Sequence, residues 1–557
     1  YDILHSFLFP PELPARANFF PDANNKWSSM SAWIPVFGCT GVIAYFQSRR
    51  HTDWLRRMLV VLFFCAVIPG FNALFQLFNQ IYYARWYYMM VLLLVLATLS
   101  CFDEEQPVEW GRALGWAGGL TGAFVVFIGL LPKSWTPDEE TGKLQWGLEK
   151  YPDMFWIYVA AAGLCLAVTG LLVYLWRQDR QRFIGWCTAV CMAASLLFGW
   201  SYMAAGKAIG NYPDDYVIDK LIRGGDFTLP ETTIFSRVDM HKGMDNQGMY
   251  WQMPCIQAFH SIVPGSVMDF YNSVGVKRSV GSRPDSSTYA LRSLLSVRWL
   301  FDYDPAAGGI ELYNKKAEDA FSVDGVDAMP GWTYCDTQQG FRIYQNDCFI
   351  PMGFTYEGYI TRSEYEEMYE DNRQFALLKA LVVEDADAAA VPLPHLDPYD
   401  FNCTESAYKK DCAARRAGAA SSFAVDKTGF TATISSEKDN WVFFSVPYES
   451  GWSAAVNGQP ADIHTVNVGF MAVACPAGES VTIRFNYETP GLRYGICISA
   501  AGLVLLAVYL LCVARPNRRA KQAAQQLPPP EPPELPPAAM PKPEGDFDLY
   551  SIYHPEE

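Results

Sequence analysis

The chain has 557 residues, of which 50% are hydrophobic and only 18% charged, with a net charge of −16 and a mean hydropathy of +0.02. A soluble chain carries about a quarter charged residues, so part of this one is composed for lipid. Its acidic balance excludes nucleic acid as a partner, because phosphate neutralisation needs a basic face.

The first residue is Tyr1, not Met, and the first apolar stretch begins only near Ala32. We read the chain as the C-terminal part of a longer protein. Residues 1–31 read as an outer loop. A helix needs about 20 apolar residues to cross the hydrocarbon core, and stretches of that kind lie at 32–47, 58–78, 82–101, 113–131, 154–176 and 183–204, with one more at 493–514. Pro69-Gly70, followed by Asn72 and Gln76, interrupts the second. A simple proline kink and a break lining a cavity both fit. No span carries an ionisable residue at its centre, which argues against an ion-coupled transporter.

The loop Arg49-Arg50-His51 with Arg56-Arg57, the loop Arg177 to Arg182 and the tail Arg515 to Lys521 are basic and fall on one side if the spans alternate. The positive-inside rule makes that side cytoplasmic. Segments 1–31, 132–153 and 205–492 are then extracytoplasmic. Trp27, Trp33, Tyr82, Tyr83 and Trp86 to Tyr88 sit at the outer interface, where an aromatic belt is usual.

Residues 205–420 mix helix and strand signals. Residues 421–492 carry short β-rich runs such as Trp441 to Val446 and Val481 to Tyr487, split by turns such as Asn457-Gly458; this spacing predicts a small antiparallel sandwich. Residues 515–557 form a Pro-rich tail expected to be disordered and cytoplasmic. The 14 cysteines show no CxxC spacing and hence no zinc or redox motif. Cys335–Cys348 and Cys403–Cys412 are candidate disulfides.

Several segments resemble the YfhO family of bacterial membrane proteins: Phe9 to Arg16 with Asn18 to Asp22, Tyr82 to Met89, Arg237 to Asp239 with Asp245-Asn246, Tyr448 to Trp452 with Asn467 to Phe470, and Tyr487 to Gly491. The resemblance runs to about residue 514. It implies a polytopic α-helical membrane protein, the C-terminal part of a GT-C-like fold, with a large extracytoplasmic α+β domain ending in a small β-sandwich. It further implies a glycosyltransferase of the bacterial plasma membrane. The donor is a polyprenyl-phosphate-linked sugar, and the acceptor is an anionic cell-envelope polymer, teichoic or lipoteichoic acid, in a Gram-positive bacterium. The catalytic carboxylate of such enzymes usually lies in the first outer loop, which here precedes Tyr1. No metal-ligand cluster is visible, and metal dependence stays open.

Such a transferase needs a carboxylate for the acceptor hydroxyl, a cation for the lipid phosphate and an apolar groove for the prenyl chain. Arg85 is the candidate phosphate ligand, suited to bidentate contact and to stacking on Tyr83 or Trp86. An interfacial Arg snorkelling to the headgroups is the alternative. Arg16, Asp22 and Lys26 are candidates for the sugar pocket, and Asn72 and Asn79 for polar contacts at the broken helix. Arg237, Asp239, Asp245, Asn246 and His260, near Trp251, read either as an acceptor site or as a structural hydrogen-bond network. A non-catalytic envelope scaffold, or a partner of a lipid-linked-sugar flippase, is the alternative function.

Overall fold

The computed structural model describes residues 2–10, 31–78, 84–102, 108–132, 144–149, 152–209, 212–230, 233–277, 281–312 and 315–526. Two compact units emerge, Tyr1–Val217 with Leu312–Asn314, and Ile218–Glu311 with Lys315–Glu557.

The first unit is helical. Its described helices are α1 (Asp2–Leu8), α2 (Thr40–Ser48), α3 (Trp54–Val67), α4 (Pro69–Ala73), α5 (Tyr87–Ser100), α6 (Trp110–Gly129), α7 (Pro152–Trp176) and α8 (Arg180–Ile209). Three stretches here, Trp110–Gly129, Phe155–Trp176 and Arg180–Ala204, are long and apolar enough to cross a membrane, as is Leu492–Cys512 in the second unit. The other three expected spans form shorter helices, and each has a local cause. Residues 32–39 are irregular, with Val36 and Gly38 at positive φ, so α2 starts only at Thr40. Pro69 has no N–H to donate and forces Ile68 into extended backbone (ψ 115), which separates α3 from α4. The third expected span becomes the 14-residue apolar helix α5. Helix α1 falls within the stretch expected to be loop.

The irregular turn before α2 is buried and its carbonyls are satisfied from neighbouring helices. Thr169 Oγ1 of α7 donates to Val36 O at 2.8 Å, and Cys191 Sγ of α8 approaches Pro35 O at 3.8 Å. Helix α2 then packs closely on α5: a Cβ at Gly41 would lie 2.2 Å from Thr98 Cγ2. Small residues permit such approach where lipid supplies no hydrophobic drive. The α2–α3 connection is fixed by Tyr45 Oη donating to Asp53 Oδ1 (2.5 Å) and by Arg56, which donates to Phe46 O (2.8 Å) and Arg49 O (2.6 Å).

The second unit is mixed α/β. Its strands are β1 (Arg237–Met240), β2 (Val297–Tyr303), β3 (Ser322–Val323), β4 (Val326–Asp327), β5 (Trp332–Gln338), β6 (Phe341–Asn346), β7 (Phe354–Thr355), β8 (Tyr359–Thr361), β9 (Leu381–Val383), β10 (Ser422–Val425), β11 (Gly429–Ser436), β12 (Asn440–Pro447), β13 (Trp452–Val456), β14 (Gln459–Ala461), β15 (Ile463–Val466), β16 (Phe470–Cys475) and β17 (Gly478–Tyr487). One sheet has the order β1-β2-β6-β5, with β1 and β2 parallel. The others run β10-β11-β17-β13-β14 and β7-β12-β16-β15-β9-β8, and β3 and β4 form a separate hairpin. Phe430, Ile434, Ile483 and Phe485 from one large sheet share an apolar core with Val442, Phe444, Met471 and Val473 from the other. Strands β7, β8 and β9 bring residues from before 421 into that second sheet.

The C-terminal helix, Leu492–Gln526, runs past residue 514 into the stretch expected to be a disordered tail. The reason is composition: Ala, Gln, Arg and Lys dominate 518–526 and favour helix, and the proline run begins at Pro528. Its apolar side chains, including Leu503 and Leu511, are exposed, as a lipid-facing helix requires.

Two buried ion pairs anchor strands of the first sheet to the chain packed beside them. Arg292 Nε donates to Asp239 Oδ2 at 3.0 Å, and Lys315 pairs with Asp302. Breaking a buried pair strands a charge and costs about 3–5 kcal/mol. Asp239→Ala, which leaves Arg292 buried and uncompensated, should lower the thermal unfolding midpoint of the detergent-purified protein by about 10 °C. A fall of under about 2 °C would show that the pair contributes little.

Candidate functional site

The sequence candidates in the first unit divide by position. Arg16, Asp22, Lys26, Asn79 and Tyr83 lie outside the described residues. Trp86 is buried at the start of α5 and stacks on Phe75 (ring centroids 4.2 Å, planes 14° apart). Asn72, in the short helix α4 just beyond the break, is fully buried. The broken helix and the aromatic cluster before α5 are therefore brought together through Phe75 and Trp86, and the exposed Arg85 adjoins them in sequence.

Below this cluster the first unit holds an apolar groove of about 590 Å³, lined by α2, α3, α5 and α6 through residues such as Ile43, Phe63, Met90, Leu94 and Trp116. Phe7 of α1 closes one part of it, 5.7 Å from the Phe63 ring and 6.3 Å from Tyr87. Tyr87 in turn lies edge-on to Trp86 at 4.9 Å. Tyr87 thus packs on the groove residue Phe7, and Met90, one helical turn further on, lines the groove itself. Phe63, Phe64 and Trp116 also stand exposed on the outside of the unit, so the groove opens laterally between helices.

A second polar group was not legible in the sequence. Glu149 is only 6% exposed, and its Oε2 has no hydrogen-bond partner among the described residues. Burial raises its carboxyl above the usual range. Gly147, at φ +92, lies directly against the carboxylate, leaving no room for a Cβ. Leu148 packs on the cluster of Phe9, Phe124 and Phe155, so α1 and the residue following it contribute Phe7 to the groove and Phe9 to the cluster under this loop. The lone signal in the sequence was a glycine two residues before an acid.

In the second unit, Arg237, Asp239, Asp245 and Asn246 form a structural network. Arg237 donates to Leu295 O (2.8 Å), Ser445 Oγ (2.9 Å) and Ser445 O (3.0 Å). Asp239 holds Arg292, and Asp245 accepts from Arg283 Nε at 2.8 Å. Asn246 brackets the Phe259 backbone at 2.9 and 2.8 Å. Trp251 packs among Phe227, Phe301 and Phe341. All 14 cysteines are free, so neither Cys335–Cys348 nor Cys403–Cys412 is a disulfide, and the Cys348 thiol lies within hydrogen-bonding reach of Cys412. Among the described residues no group of three or more His, Cys, Asp or Glu is placed to hold a metal ion.

The segments Tyr448–Trp452 and Asn467–Phe470 converge on a polar cleft of about 520 Å³ shared with Ser266, Asp269, Arg362 and Glu384. Pro490, two residues before the C-terminal helix, lines it too, which puts the cleft at the root of that apolar helix. Asn467 fixes one wall, accepting from Val382 N and donating to Tyr356 Oη, both at 2.8 Å. Gly469 fixes another, since a Cβ there would lie 2.3 Å from Ser266 O.

Apolar helices joined to a large α/β body define a membrane protein that carries a substantial polar portion. The model of the bacterial membrane protein YfhO family matches residues 10–406 and 399–499, and the chain belongs to that family. No curated protein matches it. No solved structure matches it either.

Gly469→Ala tests the cleft wall. Overpacking of this kind costs about 1–3 kcal/mol, so the unfolding midpoint should fall by several degrees. An unchanged midpoint would show that the Ser266 backbone yields freely.

Proposed function

We propose that this protein is a membrane glycosyltransferase that takes a sugar from a polyprenyl-phosphate carrier and passes it to a teichoic- or lipoteichoic-acid acceptor outside the plasma membrane. The observation that carries this reading is the laterally open apolar groove, whose lining residue Phe7 packs on Tyr87, two residues after Arg85. An isoprenoid chain fits such a groove from the bilayer, and its phosphate then falls at the interface, where Arg85 neutralises it. Asn72, fully buried behind the break, and the stacked rings of Phe75 and Trp86 support the segment that carries Arg85.

The acceptor hydroxyl attacks the anomeric carbon, the bond from that carbon to the carrier phosphate breaks, and the electron pair leaves with the phosphate. Arg85 stabilises the charge that develops there. The hydroxyl proton passes to a carboxylate. Glu149 is our candidate among the described residues, because a carboxyl raised by burial is a better proton acceptor. Arg16, Asp22 and Lys26 remain candidates for the sugar pocket. The basic loops lie inside and the α/β unit outside.

The test uses the bacterium that carries the gene. Sugars on purified lipoteichoic and wall teichoic acids are measured by mass spectrometry in the wild type, a deletion strain and strains complemented with the wild-type or Arg85→Ala copy at equal protein level. We expect one sugar to vanish in the deletion, to return with the wild-type copy, and to return about 100-fold more slowly with Arg85→Ala. Unchanged glycans in the deletion would overturn the reading and favour an envelope scaffold.

Sidedness has its own test. Cys335 is exposed on β5, so a membrane-impermeant maleimide applied to wall-stripped cells should label the peptide that carries Cys335, mapped by mass spectrometry, in the wild type and not in Cys335→Ser. Labelling of Cys335 only after lysis would reverse the orientation.

A further inference from the structure

The second unit holds another cleft, of about 590 Å³, between the helical segments Arg362–Glu367 and Glu370–Lys379 and the loop 395–403. It is distinct from the polar cleft at the root of the C-terminal helix and from the network around Asp239. Two rings dominate it. Tyr369 is 85% exposed and Tyr399 is 91% exposed, yet their backbones are held in place. Tyr369 is the N-cap residue of Glu370–Lys379. Tyr399 sits in a short helical turn where its own amide donates to Asp397 Oδ1 at 2.9 Å. Phe401 adds a half-buried third ring. Aromatic side chains presented on fixed backbone, with almost none of their apolar surface covered, leave a large area for a partner to bury.

Around these rings the cleft is polar and acidic. Glu364, Glu367 and Asp397 line it with Asn372 and His395. Glu364 is anchored: it accepts from Thr361 N at 2.8 Å, and His395 Nε2 lies 2.9 Å from both of its oxygens. Burial pushes the Glu364 carboxyl up, but the Thr361 amide and His395 outweigh it and hold the group ionised. Fixed carboxylates accept hydrogen bonds strongly, and an amide both donates and accepts.

These features match one ligand chemistry. A pyranose ring has an apolar C–H face that stacks on an aromatic ring and an edge of hydroxyls that donate to carboxylates. Three carboxylates in one cleft repel phosphate or any polyanion. The volume falls in the range of sites for small ligands.

We infer that the cleft between Tyr369, Tyr399, Phe401 and the Glu364–His395 pair is a binding site for a neutral oligosaccharide. Tyr369 and Tyr399 stack on sugar faces, and Glu364, Asp397 and Asn372 take the hydroxyls. The inference does not depend on the transferase reading. A site of this kind would let the outer unit hold a glycan whether or not the membrane unit transfers sugar.

Saturation-transfer NMR on the whole chain in nanodiscs tests it, because it reads binding rather than transfer. The probes are tetraacetylchitotetraose, maltotetraose and mannotriose, with poly(glycerol phosphate) as the anionic comparison. At least one neutral probe should receive saturation on its ring C–H protons. That signal should fall at least tenfold in both Tyr399→Ala and Tyr369→Ala. Both rings are exposed, so an unchanged unfolding midpoint in the variants confirms that the fold is intact. Glu364→Gln, whose amide oxygen can still accept from Thr361 N, should weaken binding with only a small fall in that midpoint. No transfer to any neutral probe, transfer that survives loss of both tyrosines, or preference for poly(glycerol phosphate) would each overturn the inference.

Discussion

Within a bilayer, irregular backbone survives only where protein satisfies its polar groups, since each one left bare costs several kcal/mol. Residues 32–39 meet that demand with side chains from two other helices: Thr169 reaches Val36 O and Cys191 reaches Pro35 O. Because this turn is held, α2 can start late at Thr40 and lie close against α5 through Gly41. The second break, at Pro69, turns the chain toward the aromatic cluster, where Phe75 stacks on Trp86. The apolar groove lies among the helices that these two breaks position. Its character follows from backbone satisfaction more than from the hydrophobicity of any one helix.

The second unit is governed by a different constraint. Buried polar pairs anchor its chain at several points. Asp239 with Arg292 and Asp302 with Lys315 fix the sheet that begins at β1. Asn467 ties the loop between β15 and β16 to the backbone of Val382.

Much of this was legible in the sequence and some was not, for identifiable reasons. Long apolar helices such as α7 announce themselves by length and composition. The Pro69 break was visible, because proline acts locally. The irregular turn at 32–39 was hidden, because Trp33, Ile34, Val36 and Phe37 are as apolar as any helix and the hydroxyl that stabilises them is 133 residues away. Helix α1 is only seven residues long, too short for periodicity to reveal. Arg237 and Asp239 invited two readings, and only their partners Ser445 and Arg292 decide for the structural one. Glu149 carried only the faint signal of Gly147 two residues before it, and Tyr369 and Tyr399 carried none, since burial of one and exposure of the others are properties of the fold.

The central claim is that the groove receives a polyprenyl phosphate, and photocrosslinking tests it most directly. The whole chain in nanodiscs is illuminated with a polyprenyl phosphate carrying a diazirine in its chain, with and without excess unlabelled carrier, and crosslinked peptides are mapped by mass spectrometry. Our account requires crosslinks concentrated on the groove residues Ile43, Phe63, Met90 and Trp116, and displaced by the competitor. Crosslinks spread over the lipid-facing helices in proportion to their exposure, with no competition, would contradict it.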